Sequence, residues 1–274
     1  MSGSFEEFAG RDKSDVATAY YARSAELMSR IATVLRLGSD AARYADLAAS
    51  VRAAWQAEFI SADGDVRPAT QATIVRALTF GLLPEDLRER AAAQLVRLIR
   101  DAGTHLGTGF LATPDLLPAL ADTGHADIAY ELLLQDTPPS WLGMIAKGAT
   151  TVWERWEGID DDGVPHESLN HYSKGAVISF LHRYTAGIRM SGDPAYRTFR
   201  IQPVPGGRLT SAAAAHESPY GRIESSWTVD RGLLRLDVTV PPGTTAEVVL
   251  PGCPARGAGP GRHSFQTAVE SAAG

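Results

Sequence analysis

The stretch DKSDVATAYYARSAELMSRIATVLRLGSDAARYADLAASVRAAWQAEFI, residues 12–60, decides the fold class. From Asp12 to about Leu37 apolar residues recur at helical spacing on an alanine-rich background, which predicts one helix with Gly38 as its stop. Ser39 then caps a second run, in which Tyr44, Leu47, Val51, Ala54, Trp55 and Phe59 fall along one face. Asp63-Gly64 closes the pair as a turn.

Helices continue outward from that pair. Runs at about 69–80 and 84–101 read as helical, the latter with Pro84 in its first turn and Glu85 and Asp86 near the positive end of its dipole. THLGTGFLATPDLLPALADTGHADIAYELLLQ, residues 104–135, reads as a glycine-rich loop, a short helix from about Pro114, a break at Gly124 and a helix to Gln135. SKGAVISFLHRYTAGI, residues 173–188, predicts one more helix, apolar enough on most sides to be largely buried. Almost no strand signal precedes residue 190. Beyond Asp193-Pro194 the runs FRIQPV, GRIESSWTV, LLRLDVTV and TAEVVL are β-patterned and separated by Pro/Gly turns. Helix pairs without a repeated motif disfavour a tetratricopeptide-like solenoid and fit an α/α toroid. The expectation is a mainly α protein, with a helical toroid domain over 1–193 and a small antiparallel β-sandwich over 194–274.

Composition narrows the function classes. A chain of 274 residues with 44% hydrophobic content can build a substantial core. A formal net charge of −6 and the lack of any Lys/Arg-rich run argue against a nucleic-acid partner. Cys253 is the single cysteine, so neither an intrachain disulfide nor a thiolate zinc site can form, and the lean is cytoplasmic. MSGSFEEFAGRDKSD at the start lacks the basic and apolar regions of a secretory signal. No window approaches the ~20 apolar residues that span a bilayer, so no membrane partner is expected.

Chemistry concentrates in TTVWERWEGIDDDGVPHESLNHYSKG, residues 150–175. Glu154 and Glu157 would share one side of a helix, but Gly158 and the Asp-rich run after it favour a loop. A glycosidase needs one carboxyl as acid and another as base or nucleophile, beside aromatic rings that stack on the sugar's C–H face. Trp153 and Trp156 could supply the rings; the competing reading makes them core anchors, with Arg155 a scaffold residue. Carboxyl groups about 5 to 5.5 Å apart imply retention, and about 6.5 to 9.5 Å implies inversion through an interposed water. Asn170, His171 and Tyr172 precede a helix, where imidazole could bond a sugar hydroxyl or orient a carboxylate and Asn170 could be the N-cap. His166 and His171 have no third ligand at a recognisable spacing, so no metal is expected. Asp160, Asp161 and Asp162 lack calcium-loop spacing and read as a solvated turn. GTGF, residues 107–110, lacks the surroundings of a phosphate cradle and reads as a tight turn, with His105 beside it as a further polar contact.

The ordered series GTGFLATPDLLPALADTGHADIAYELLLQDTPPSWLGMIAKGATTVWERWEG, SLNHYSKGAV, FRIQPVPGG, SPYGRIESSW and VPPGTTAEVVLP closely resembles the C-terminal half of bacterial α-L-rhamnosidases, family 78 of the glycoside hydrolases. The likeness runs from about Asp12 to about residue 250. It implies an (α/α)6 barrel of the six-hairpin glycosidase type, only partly contained here, followed by a β-sandwich. It also implies inverting hydrolysis of terminal α-L-rhamnose from glycosides. By that resemblance Glu154 corresponds to the general base and His171 to a sugar contact, with Trp153 and Trp156 shaping the wall and Glu157 given no role. The family's general acid lies in an upstream acidic motif that residues 1–11 do not reproduce; Glu6 and Glu7 lack its pattern. No cofactor or metal is implied. Two readings follow: this chain supplies the base half of a rhamnosidase site, completed by a missing N-terminal half or a second chain, or it is an inactive fragment that still binds rhamnose.

Overall fold

The computed structural model describes residues 12–192 and 194–269; Glu6, Glu7 and the expected boundary residue Asp193 lie outside them. The chain divides into two compact units, Met1–Ala119 and Leu120–Gly274.

In the first unit, helix α1 (Ser14–Val34) and helix α2 (Gly38–Phe59) form the expected pair, but Gly38 does not stop α1. Arg36 does so by adopting a left-handed conformation (φ 60°). The N–H groups of Leu35, Arg36 and Leu37 then turn back onto the carbonyls of Ile31, Thr33 and Ala32. Gly38 and Ser39 are already helical, and the cap position falls to Leu37. α1 presents Ala19, Ala22, Ala25 and Ala32 to the interior, and α2 buries Ala48, Trp55 and Phe59. Those three keep helical spacing, whereas Ala54, expected on the same face, is exposed one residue out of phase.

Helix α3 (Gln71–Thr79) is capped by the Thr70 hydroxyl, which accepts the Thr73 N–H at 3.1 Å. The next run opens as a 3-10 turn at Glu85–Leu87 before helix α4 (Arg88–Asp101). The buried Gln94 amide of α4 bonds both the N–H and the C=O of Val66, each at 3.0 Å, and so satisfies the backbone groups of a residue that is otherwise paired only in an isolated bridge with Ile60. α1 and α3 are tied through Asp15, whose carboxylate accepts from Arg76 at 2.5 Å and from Thr73 at 2.9 Å.

Helix α5 (Thr113–Asp122) runs across the division and leads to α6 (Ala126–Leu133) and α7 (Trp141–Ala146) in the second unit. From Lys147 to His171 there is no helix. The single buried helix expected from residue 173 is instead three short pieces: α8 (Tyr172–Gly175), α9 (Val177–Phe180) and a π-helical turn at Leu181–Thr185. It is largely buried or half-buried as expected, but Ile178 is 65% exposed.

The strands are β1 (Ile188–Met190), β2 (Thr198–Ile201), β3 (Ser211–Ser218), β4 (Gly221–Asp230), β5 (Leu233–Val240), β6 (Thr245–Val248), β7 (Arg256–Ala258) and β8 (Gly261–Ala268). They form two sheets, ordered β1-β2-β6-β7 and β3-β4-β5-β8. Every pair is antiparallel except β2–β6. Phe199 and Ile201 of one sheet share a core with Ile223, Trp227, Leu234 and Leu236 of the other. The first strand starts at Ile188, ahead of the Asp193-Pro194 break. Gly187 makes that early start possible: at φ 87° a Cβ there would lie 2.3 Å from the Pro203 nitrogen.

Tyr184, in the π-helical turn, is buried and donates its hydroxyl proton to Asp122 at 2.8 Å. Burial, and then the Asp122 carboxylate, push its pKa up to about 12. The unfolded side chain titrates near ~10. Between those values the native state retains a proton that the unfolded chain has lost, so stability falls as pH rises through this window. Tyr184→Phe is expected to lose about 1 kcal/mol or more at pH 7 with its hydrogen bond, and to show a shallower alkaline decline in urea midpoint from pH 10 to 12. Parallel declines in both proteins would refute the assignment.

Candidate active site

The segment carrying Glu154 is a strap closed by its own backbone. The Glu154 N–H donates to Ser168 O at 2.8 Å and the His171 N–H to Val152 O at 2.8 Å. The Thr151 hydroxyl reaches Leu169 O, and the Ser168 N–H points at Glu154 Oε2 at 3.3 Å. Further out, His166 N–H bonds Gly158 O at 2.7 Å, and Ile159 bridges Pro165. Asp160 organises the tip, accepting from the N–H groups of Asp162 and Val164 and pairing with His166 Nε2 at 2.8 Å. Those bonds hold its carboxyl below the usual range, that of His166 contributing most. The Asp-rich run is thus a built turn at Asp160, not solely a solvated one. His166 is engaged there with Asp160.

His171 is the N-cap of α8; Asn170 is not. Its Nδ1 lies 3.3 Å from the Ser173 N–H and accepts it. An Nδ1 acceptor places the neutral ring's proton on Nε2. Nε2 faces Glu154 Oε1 at 4.0 Å, with the imidazole 18% and the carboxylate 38% exposed. That separation exceeds a hydrogen bond and leaves both groups able to bind one oxygen between them. The Tyr172 ring stacks on the imidazole at 4.8 Å and is 70% exposed, so an open aromatic face adjoins the pair.

The two tryptophans diverge. Trp153 is 2% exposed and packs inside the strap, against Gly158. Trp156 is half-buried, edge-on to Trp141 at 5.5 Å and with the Lys174 ammonium 4.6 Å from its ring centre. Lys174, absent from the sequence reading, donates to the Glu154 carbonyl oxygen, and its own carbonyl accepts the Trp141 indole N–H at 2.9 Å. Burial depresses the Lys174 pKa, opposed by the charges of Glu154 and Glu157. The one signal for it was its place three residues after His171, on the same helical face. Glu157 and Arg155 are exposed.

His105 belongs to the first unit. Its carbonyl accepts from the Gln71 amide at 3.0 Å, and Gln71 Oε1 accepts the Gly107 N–H at 2.7 Å. This pair of bonds shapes the Gly-Thr-Gly turn, and His105 Nδ1 lies 3.2 Å from Ala102 O.

A model of the bacterial α-L-rhamnosidase six-hairpin glycosidase domain matches residues 3–185, and one of the bacterial α-L-rhamnosidase C-terminal domain matches residues 187–264. The chain belongs to the bacterial α-L-rhamnosidase family. Its fold is accordingly helical architecture of the six-hairpin glycosidase type followed by a β domain. An α-L-rhamnosidase of Streptomyces avermitilis is 47% identical over 243 residues, covering 87% of this chain and 23% of that protein. The crystal structure of a Streptomyces avermitilis α-L-rhamnosidase complexed with L-rhamnose matches with a TM-score of 0.87 at 42% identity, over 94% of this chain and 27% of that one. The native α-L-rhamnosidase of Aspergillus terreus matches with a TM-score of 0.90 at 33% identity, over 95% and 31% of the two chains. The chain therefore spans about a quarter to a third of the length of these rhamnosidases.

Within this rhamnosidase-family strap, the Gly158 backbone packs directly on the Trp153 side chain. A Cβ there would sit 2.9 Å from Trp153 Cβ, Cδ2 and Cε3. Gly158→Ala is expected to displace the indole and to cost about 1–3 kcal/mol. Near-UV circular dichroism should lose tryptophan signal; an unchanged spectrum with an unchanged urea midpoint would show that the strap yields freely.

Proposed function

We propose that this chain supplies the base side of an α-L-rhamnosidase site that cleaves terminal non-reducing α-L-rhamnose from glycosides with inversion. Glu154 is the general base, His171 the sugar contact, and the exposed Tyr172 ring with the half-buried Trp156 offers surface to the sugar's C–H face. Trp153 supports the strap from within. The observation that carries the reading is the Glu154–His171 pair: a half-exposed carboxylate facing a protonated imidazole nitrogen at 4.0 Å. A water between them is held by His171 while Glu154 removes its proton, and a sugar hydroxyl fits the same gap. Inversion requires a second carboxyl about 6.5 to 9.5 Å from the base. Glu157, exposed and next to Arg155, is given no role in this reading, and the acid is assigned to residues outside this chain. In the first unit, α1 leaves Tyr21, Met28, Ile31 and Val34 exposed, in keeping with helices from elsewhere covering that face.

The test is hydrolysis of an aryl α-L-rhamnoside by the complete reading frame carrying this chain. Glu154→Gln is expected to lower kcat about 10² to 10⁴-fold, and NMR of the first-formed rhamnose should show inverted anomeric configuration. Unimpaired Glu154→Gln would reject the base, and retained configuration would reject inversion. Rhamnose binding without turnover would favour a binding role.

A further inference from the structure

We infer that Lys174 is a positioning residue for the base, fixing the Glu154 peptide and the adjoining Trp156 ring so that the carboxylate meets its water in one orientation. The inference rests on the assignment of Glu154 as base.

Three contacts converge on this side chain and its peptide. The ammonium donates to the Glu154 carbonyl and lies 4.6 Å from the Trp156 ring centre. The Lys174 carbonyl is held by the Trp141 indole N–H at 2.9 Å, and Trp141 also meets Trp156 edge-on. With the Glu154 N–H on Ser168 O, both polar groups of the Glu154 backbone are occupied. The orientation of that residue is then set on an otherwise irregular segment. His171 and Lys174 stand one helical turn apart, so a single short helix delivers the sugar contact and the clamp on the base.

The side chain is costly for a structural filler. Lys174 is 9% exposed. A buried ammonium loses hydration, and an apolar residue of similar volume often serves stability as well or better. What the ammonium adds is a donor aimed at the Glu154 carbonyl and a charge attracted by both Glu154 and Glu157. Displacement of a reacting group by about 1 Å can cost on the order of 10²-fold in rate, so this clamp should act on kcat.

The experiment is a double-mutant cycle on aryl α-L-rhamnoside hydrolysis in the complete reading frame. Lys174→Met is expected to lower kcat about 10- to 100-fold with KM within about threefold, since the chemical step and not uniform binding is affected. Lys174→Arg, which keeps a cationic donor, should recover most of the loss. In the Glu154→Gln background Lys174→Met should add less than about threefold, because it acts through that residue. Should Lys174→Met fail to unfold cooperatively, Lys174→Leu, which likewise lacks both the donor and the charge, is read in the same way. Full activity of the lysine variant, a rise in KM at constant kcat, or an undiminished loss in the Glu154→Gln background would each overturn the inference. Unimpaired Glu154→Gln would remove the base assignment and this inference with it. An impaired Glu154→Gln beside an unimpaired lysine variant would remove this inference alone.

Discussion

Between Ala146 and Tyr172 the backbone forms no helix and only an isolated bridge, so the place of the Glu154 carboxylate depends on the bonds that tie Glu154 to Ser168 and His171 to Val152. Regular elements hold their residues by repetition; this strap has no such redundancy. Its tip is closed by Asp160, its interior is filled by Trp153 against Gly158, and its exit is fixed by His171 capping α8. Remove one of these and the others have no periodic ladder to fall back on. A functional side chain on a loop keeps its orientation only where specific bonds such as these fix the loop.

The strap's far end is secured by the β domain of the same unit. α8 and α9 lead into the π-helical turn, whose Thr185 carbonyl accepts the Trp227 indole N–H at 2.7 Å, while Ala186 O accepts the Ser225 hydroxyl at 2.7 Å. These are carbonyls that the end of a helix leaves unpaired, and β4 supplies side-chain donors for them. Tyr130 of α6 adds a bond to Val204 O, between β2 and β3. The small sheets thus anchor the segment that began with His171 and Lys174. The physical role of the β domain here is to stop that segment from fraying.

Much of this was legible in sequence because periodic burial leaves a periodic trace. The α1–α2 pair and strands β2, β4, β5 and β6 follow from apolar spacing. Strand β3 did not, because SAAAAHES has alanine on both faces and is extended only by pairing with β4 along its whole length. The stop of α1 was misplaced for a related reason: left-handed Arg36 closes the helix where glycine was the local favourite, and the three backbone bonds there offset its strain. The broken helix after His171 was invisible to hydropathy, since VISFL is apolar enough for a buried helix, yet leaves Ile178 open.

At the site, residue identity pointed to the strap, while the division of labour within it came from geometry. Two tryptophans flanking a glutamate look equivalent in a sequence, and only packing separates the interior Trp153 from the half-buried Trp156. The exposed aromatic surface beside His171 turns out to be Tyr172, the first residue of α8. Lys174 carries no motif of its own; its contact with the Glu154 carbonyl spans twenty residues of chain and a full reversal of direction. A carboxylate that is locally plausible becomes a candidate base only through such a long-range bond, because orientation, more than residue type, separates a reactive group from a solvated one.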